Sequence, residues 1–402
     1  MSRPAPWKRN LYAIWAAEFL AIAGFSTSTP VVPFFLQDLG VHDPLQISFF
    51  VGLLAALPSL MLAIFAPIWG SIADSYGRKP MLLRAMFGGT VILFLQGLAQ
   101  NPWQLLVLRT LQGCITGTVA AATVLVASNS PKEETGSSLG ILQTAIYLGG
   151  SLGPMFGGFV SDLFGHRVSF FATSILLFSA GLIVWRFAVD NFEPPAERKS
   201  LLKSMVPDFR ALSKARAIWA LLAVVAADQI SGSIASPFLP LFIQSISAAP
   251  SAVGSMTGLI LGLGALSSAL AAVILGKLSY RIGYRRTLVF CMLAAAAFLL
   301  PQPFARNPYE LLFLRIASCF FIGGNMPSVN ALLAEKAQAG KQGSVYGLSS
   351  SVASTANAIG PAIGSGIAAM AGYGSVFFAT AAILALAGSS IGFFVRKGRA
   401  AA

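Results

Sequence analysis

Charge is what this 402-residue sequence has least of: only 10% of its residues are Asp, Glu, Lys or Arg, against about 25% in a soluble domain. With 56% hydrophobic residues, too few polar side chains remain to coat a water-facing surface of this size. An ordinary soluble globule is thereby excluded, and lipid is the alternative solvent. Cysteine and histidine are scarce, three and two residues respectively. Cys114, Cys291 and Cys319 all fall inside apolar runs without ligand spacing, so neither a metal centre nor a disulfide framework is expected. There is no GxxxxGK[ST] phosphate loop, which excludes ATP as an energy source, and no HExxH string; no enzyme activity and no cofactor are expected. The net charge of +13 does not mark a nucleic-acid-binding face. The cations stand in short clusters between apolar runs, as cytoplasmic loops do.

What is present is hydrophobic length. Apolar runs able to cross a bilayer occur near residues 10–36, 46–72, 81–100, 103–128, 137–161 and 168–189. Six more lie near 217–244, 252–278, 287–305, 309–334, 344–370 and 375–395. The first run is too long for a cleavable signal core of about 7–15 residues and reads as a spanning helix. The pattern predicts an all-α membrane protein of twelve transmembrane helices. Residues 1–190 form one six-helix bundle, 191–216 a basic cytoplasmic linker, and 217–402 a second bundle. With the N-terminus inside, 23 of the 27 Lys and Arg residues fall in inner segments, two (Arg167 and Arg306) in outer loops, and two (Arg109 and Arg315) within spans. That imbalance predicts a multi-pass protein of the cytoplasmic, or inner, membrane with both termini cytoplasmic.

The two halves repeat. The run Asn101-Pro-Trp-Gln-Leu-Leu-Val-Leu-Arg109 returns as Asn307-Pro-Tyr-Glu-Leu-Leu-Phe-Leu-Arg315, and Gly153-Pro154 with Gly157 return as Gly360-Pro361 with Gly364. Pro30 and Pro33 return as Pro237 and Pro240, and the offset stays at 206 or 207 residues. Within the first half, Gly70, Asp74 and Gly77 recur 88 residues later as Gly158, Asp162 and Gly165. An odd number of helices separates those copies, the mark of three-helix repeats inverted within a half. Two such bundles can rock about a site near the midplane that opens to one side at a time.

Three motifs carry chemistry. Gly70-Ser-Ile-Ala-Asp74-Ser-Tyr-Gly77-Arg78-Lys79 joins spans two and three; its glycines permit a tight turn and close helix approach. Span four holds Leu105-xxx-Arg109-xx-Gln112-Gly113, where a mid-membrane arginine costs about 2.5–3.5 kcal/mol and should face the bundle interior. Span five holds Gly149-Gly-Ser-Leu-Gly153-Pro154-Met-Phe-Gly157-Gly158, a kinking proline among glycines that admit a close partner. Over nearly the whole chain this set resembles the major facilitator superfamily, and within it the drug:proton antiporter branch with twelve spans. The resemblance implies that the loop motif (Gly70, Asp74, Gly77, Arg78) latches the outward-facing state. It further implies that Arg109 serves proton coupling and that Gly153, Pro154 and Gly157 mark an exporter. The copy around Gly276 and Gly283 lacks the acid at the place matching Asp74, so a weaker latch is expected there.

Glu18 and Asp228 are the two carboxylates well inside predicted spans, the first and the seventh. Intramembrane acids in transporters are by default proton relays or cation-binding groups. Glu18, Asp228 and Arg109 are therefore the candidate proton-coupling residues. An otherwise apolar cavity is expected from Tyr12, Trp15, Phe25, Tyr147 and Phe238, with Gln112, Gln143, Gln229 and Asn357 as hydrogen-bonding groups. The leading functional expectation is a monomeric, proton-coupled exporter of small lipophilic or cationic compounds. Export of one defined metabolite, or proton-driven uptake, are the alternatives in the same fold.

Overall fold

Every apolar run becomes helix. The computed structural model describes residues 6–131, 133–190, 216–248, 252–336 and 342–394. The first half runs α1 (Pro6–Thr27), α2 (Val32–Asp38), α3 (Pro44–Tyr76), α4 (Arg78–Gly97), α5 (Pro102–Ile115), α6 (Thr118–Asn129), α7 (Thr135–Phe164) and α8 (His166–Phe187). The second half repeats that order as α9 (Arg216–Ala235), α10 (Leu239–Ile246), α11 (Val253–Ile282), α12 (Tyr284–Leu299), α13 (Pro308–Gly323), α14 (Asn325–Lys336), α15 (Gln342–Ala371) and α16 (Ser375–Phe394). No strand occurs among the described residues. The linker read at 191–216 lies outside them, except for Arg216 at the start of α9.

The helix starts follow from local chemistry. Asn101 and Asn307 cap α5 and α13 by accepting the backbone N–H of Gln104 at 2.9 Å and of Glu310 at 3.0 Å. Asp43 does the same for Gln46 at 2.9 Å, and a proline follows each of the three caps. That placement satisfies an orphan donor and puts proline where its missing N–H costs nothing.

Among the described residues, eight helical segments are long and apolar enough to cross a membrane, α5 with α6 and α13 with α14 counting as one each, or nine when α1 and α2, bent by 46°, count as one broken span. The other three of the twelve predicted runs are also helical. Two of them, α7 and α15, have 30 residues each and ample length, but Gly and Ser dilute their apolar character. The third, α16, carries a shorter apolar stretch, Ser375–Ile391. Large apolar side chains such as Val107, Ile175, Val273, Phe313 and Leu386 stand exposed on the helix surfaces. A water-soluble monomer does not carry so many, whereas a lipid-facing one must.

Contacts group the chain into two units, Met1–Val206 with Ala249–Gly262, and Pro207–Ala248 with Leu263–Ala402. The sequence repeat did not indicate that residues 249–262, including the opening turns of α11, group with the first half. Within the first unit α1 packs on α7, α8 and α6; within the second, α9 packs on α15, α16 and α14. The same pairs thus meet in both copies. Four junctions also match: Gly77, Gly165, Gly283 and Gly372 each adopt a positive φ, between 81° and 99°. Only glycine takes that conformation without strain, so the quarter repeat seen in sequence is a repeat of one turn.

Small residues set the helix spacing. A Cβ built on Gly149, Gly153 or Gly157 of α7 would run into the α1 backbone at Phe19, Ala23 and Thr27. On the neighbouring face of α7, Gly158 meets Gly254 in the opening turn of α11. The Asp162 carboxylate accepts the N–H groups of Gly254 at 3.0 Å and Ser255 at 2.6 Å, capping that helix. At the Arg78 end of the bundle, Asp190 accepts the N–H groups of Arg78 at 2.7 Å and Lys79 at 2.9 Å. In return, the Lys79 ammonium donates to the carbonyls of Trp185 and Ala188 at the close of α8. The two loop-motif cations are thus tied to helix ends of their own unit.

Substitution of Gly157 by Ala should cost about 1–3 kcal/mol by overpacking against α1, lowering the melting temperature of detergent-purified protein. Gly150→Ala, whose Cβ would meet nothing within 4 Å, should leave the melting temperature unchanged or raised. Equal melting for the two variants would remove α7 packing as the role of Gly157.

Candidate functional site

The buried face of α1 runs Leu11, Ile14, Ala17, Ala21, the 3–4 spacing of a core stripe. Glu18 stands in that stripe with 0% exposure, among side chains from α4, α6, α7 and α8. Its Oε1 accepts the Thr118 hydroxyl at 2.7 Å, while Oε2 is buried with no hydrogen-bond partner. Asp228 occupies the matching stripe of α9, with Leu221, Val225, Ser231 and Ala235, and is 8% exposed. Its Oδ1 accepts the Asn325 side-chain amide at 2.6 Å, and Asn325 Oδ1 is left buried without a partner. Each acid therefore faces the interior of its own unit.

Both partners sit at an interruption of the fourth span of their half. After Ile115 the chain turns extended at Thr116 and takes φ 124° at Gly117, which ends α5 and lets α6 begin at Thr118. The break frees backbone carbonyls. Gln112 O accepts both the N–H and the hydroxyl of Thr116, and Cys114 O accepts the Trp69 indole N–H at 2.6 Å. Trp69 in turn lies under the Arg84 guanidinium, 3.6 Å from ring centroid to charge centre. In the second half a single turn at Gly324 separates α13 from α14, and Asn325 opens α14.

Among the described residues, Arg109 meets no acid. It donates to Ser28 Oγ at 3.1 Å and Gln112 Oε1 at 3.4 Å, and Gln112 accepts from Gln96 at 2.9 Å. Ser28 lies ten residues beyond Glu18 on the α1 side of the chain, roughly 15 Å by helical rise. The arginine and the carboxylate are thus solvated by separate polar clusters.

The expected cavity residues divide into two sets. Trp15 donates to Thr144 Oγ1 at 2.9 Å and stacks on Phe19, which joins α1 to α7 along an exposed strip. Tyr12, 55% exposed, lies one turn before Trp15; Gln143 and Tyr147 lie on the same exposed face of α7. The other set is packed or half-buried. Phe25 packs against the first-unit core, Gln112 is in the Arg109 cluster, and Phe238 is fully buried against Gly364. Gln229 and Asn357 are half-buried on α9 and α15. Phe25 and Phe238 therefore act as packing side chains here, because each meets a glycine that leaves room for a ring, Gly89 and Gly364. His166 opens α8, and its Nδ1 lies 2.6 Å from Asp38 Oδ2.

Among the motif residues, Gly153, Pro154 and Gly157 lie on the packed faces of α7, Gly70 is exposed on α3, and Gly77 makes the turn into α4. Arg78 uses its backbone N–H on Asp190. Asp74 belongs to α3, but its side chain lies outside the described residues. Sequence reasoning missed Thr118, Asn325, Ser28 and Asp190. For the first two a signal existed: they stand 207 residues apart, each directly after a glycine, Gly117 and Gly324.

The chain matches the Major Facilitator Superfamily over residues 14–256 and 223–401. It is 32% identical over 378 residues to the Multidrug resistance protein MdtG of Proteus mirabilis, covering 94% of each chain. With the protein of the same name from Salmonella arizonae it shares 32% identity over 382 residues, covering 95% of this chain and 94% of the other. Among solved structures, a bacterial homolog of the human lysosomal transporter Spinster superposes with a TM-score of 0.76 at 15% identity, over 99% of this chain and 100% of that one. The nucleoside transporter NupG superposes with a TM-score of 0.79 at 12% identity, over 96% and 100%. At such identities the structures establish the fold, and the family match with the 32% relatives establishes membership. The chain belongs to the major facilitator superfamily and is a multi-pass membrane transporter, not an enzyme.

Proposed function

We propose that this transporter exports small lipophilic and cationic compounds in exchange for protons, as a monomer in the inner membrane with both termini cytoplasmic. The observation that carries the reading is the pair of buried acids, Glu18 and Asp228. Each lies on the first helix of its half, in a core stripe where an apolar residue would be stable. A carboxyl group there is costly to bury, and ion coupling is the function such groups serve in transporters. The relatives named multidrug resistance proteins support drugs as cargo. The glycine–proline face of α7, bonded closely to α1, supports export over uptake by its resemblance to the antiporter motif. The exposed strip of Tyr12, Trp15, Gln143 and Tyr147 offers aromatic faces for cations. Arg109, with Ser28 and Gln112, supplies fixed positive charge to the same unit.

In the cycle proposed, the acids carry protons or the transporter carries cargo, but not both at once. Proton entry from outside neutralises the acid and discharges cargo; proton loss to the cytoplasm readies it again. Net movement of one exchanges for net movement of the other.

Expression in cells lacking their own exporters should raise resistance to several cationic compounds and speed ethidium efflux. Unchanged sensitivity across the panel would point to export of a single metabolite. In vesicles of reconstituted protein, Glu18→Gln and Asp228→Asn should each cut pH-gradient-driven efflux by roughly tenfold or more; full retention in both removes these acids as the coupling groups. With Cys114, Cys291 and Cys319 changed to Ser, a single His42→Cys should react with impermeant maleimide on intact cells. A single Glu134→Cys should react only after permeabilisation, and the reverse pattern would invert the topology.

A further inference from the structure

The two acids do not obey the internal repeat, but their partners do. Glu18 and Asp228 lie 210 residues apart, whereas Thr118 and Asn325 lie 207 apart, the offset shared by the flanking helices. The discrepancy of three residues is close to one helical turn, so both acids keep the same face of their helix. Each still reaches the first residue of a 12-residue half-helix, α6 or α14. An acid displaced by a turn and yet bonded to the equivalent position implies that the contact itself is what is retained.

Physics gives the contact a use. The first turn of a helix presents unpaired N–H groups and a partial positive charge, which favour an anion. In broken membrane helices such half-helix ends are where charged groups are held. In the first unit Thr118 engages Oε1 of Glu18, and Oε2 is fully buried without a partner. That oxygen is the one free to take a proton. When an O–H bond forms there, the carboxylate loses its charge and α6 loses the anion at its start.

We propose that Thr118 and Asn325 are positioning residues of a duplicated switch. Each holds the ionised acid of its half at the opening turn of the interrupted fourth span, and proton uptake loosens that turn. The proposal rests on Glu18 and Asp228 being the coupling acids. The surroundings keep other ionisable groups away. Around α1, the helix α6 carries no titratable side chain, α7 carries Tyr147 and Asp162, α8 carries His166, Arg167 and Arg186 at its two ends, and α4 carries Arg78, Lys79 and Arg84 in its first two turns, Arg84 turned onto Trp69. Facing α9, only Tyr346 on α15 and Glu335 and Lys336 at the far end of α14 are titratable, and α16 has none among its described residues.

Amide hydrogen exchange of the full-length protein at one fixed pH tests this without knowledge of the cargo. Glu18→Gln, which mimics the protonated acid, should speed exchange across residues 116–121 about tenfold, and Thr118→Val should do the same. Thr118→Ser, which restores the hydroxyl, should exchange like the wild type, and adding Thr118→Val to Glu18→Gln should have no further effect. Asp228→Asn and Asn325→Leu should act alike on residues 323–328. Unchanged exchange in both acid variants, with gradient-driven efflux lost, overturns the switch and leaves the coupling role standing. Changed exchange with intact efflux overturns the coupling role, and with it the part given to Thr118 and Asn325 in transport.

Discussion

Hydrocarbon offers no hydrogen bonds, so a charged or polar group inside a membrane protein must find its partners within the protein. In a chain with only 14 acidic residues, two of them placed in the buried stripes of α1 and α9 impose that constraint most severely. An alanine at position 18 would continue the run of Ala17 and Ala21 without any demand on its surroundings. A glutamate there requires a donor, and the Thr118 hydroxyl at the start of α6 supplies it. The break at Thr116 and Gly117 then creates a demand of its own, which Trp69 satisfies by donating its indole N–H to the freed Cys114 carbonyl.

The small-residue face of α7 links that chemistry to the rest of the unit. Gly149, Gly153 and Gly157 bring α7 against α1, the helix that carries Glu18. The same two helices present the exposed strip of Tyr12, Trp15, Gln143 and Tyr147, fastened by the Trp15–Thr144 hydrogen bond. Trp15 stands three residues before Glu18, the spacing of neighbours on a helix surface, so the buried acid lies beside the aromatic strip on α1. A change in how the acid is held can reach the strip through rigid packing, without a chain of intermediates. Arg109 belongs to a different polar cluster farther along, with Ser28, Gln112 and Gln96. Its distance from Glu18 argues for an influence through the field of the unit and not through direct pairing.

Spans, repeat and junction turns were readable from sequence because each rests on composition or on a backbone requirement. Hydrophobic length gave the twelve helical runs, and the positive-φ junction glycines Gly77, Gly165 and Gly283 stand where the repeats placed them. The two acids were readable because charge in an apolar run is conspicuous. Their partners were not: threonine and asparagine are common in spans, and only tertiary structure tells which hydroxyl or amide meets an acid 100 or 97 residues away. The aromatic residues show the same limit. Phe25 and Trp15 look alike in sequence, yet Phe25 packs beside Gly89 in the core while Trp15 bridges α1 and α7 at the surface. Helix periodicity defines a face, but whether that face meets a neighbour depends on the other five helices of the bundle.

The most direct test of ion exchange at the buried acids is to count protons. Purified protein in lightly buffered detergent, mixed with a dye it transports, should release protons as cargo displaces them. The double variant Glu18→Gln, Asp228→Asn should bind dye without release. Proton release by that double variant equal to the wild type would contradict the role given to both carboxyl groups.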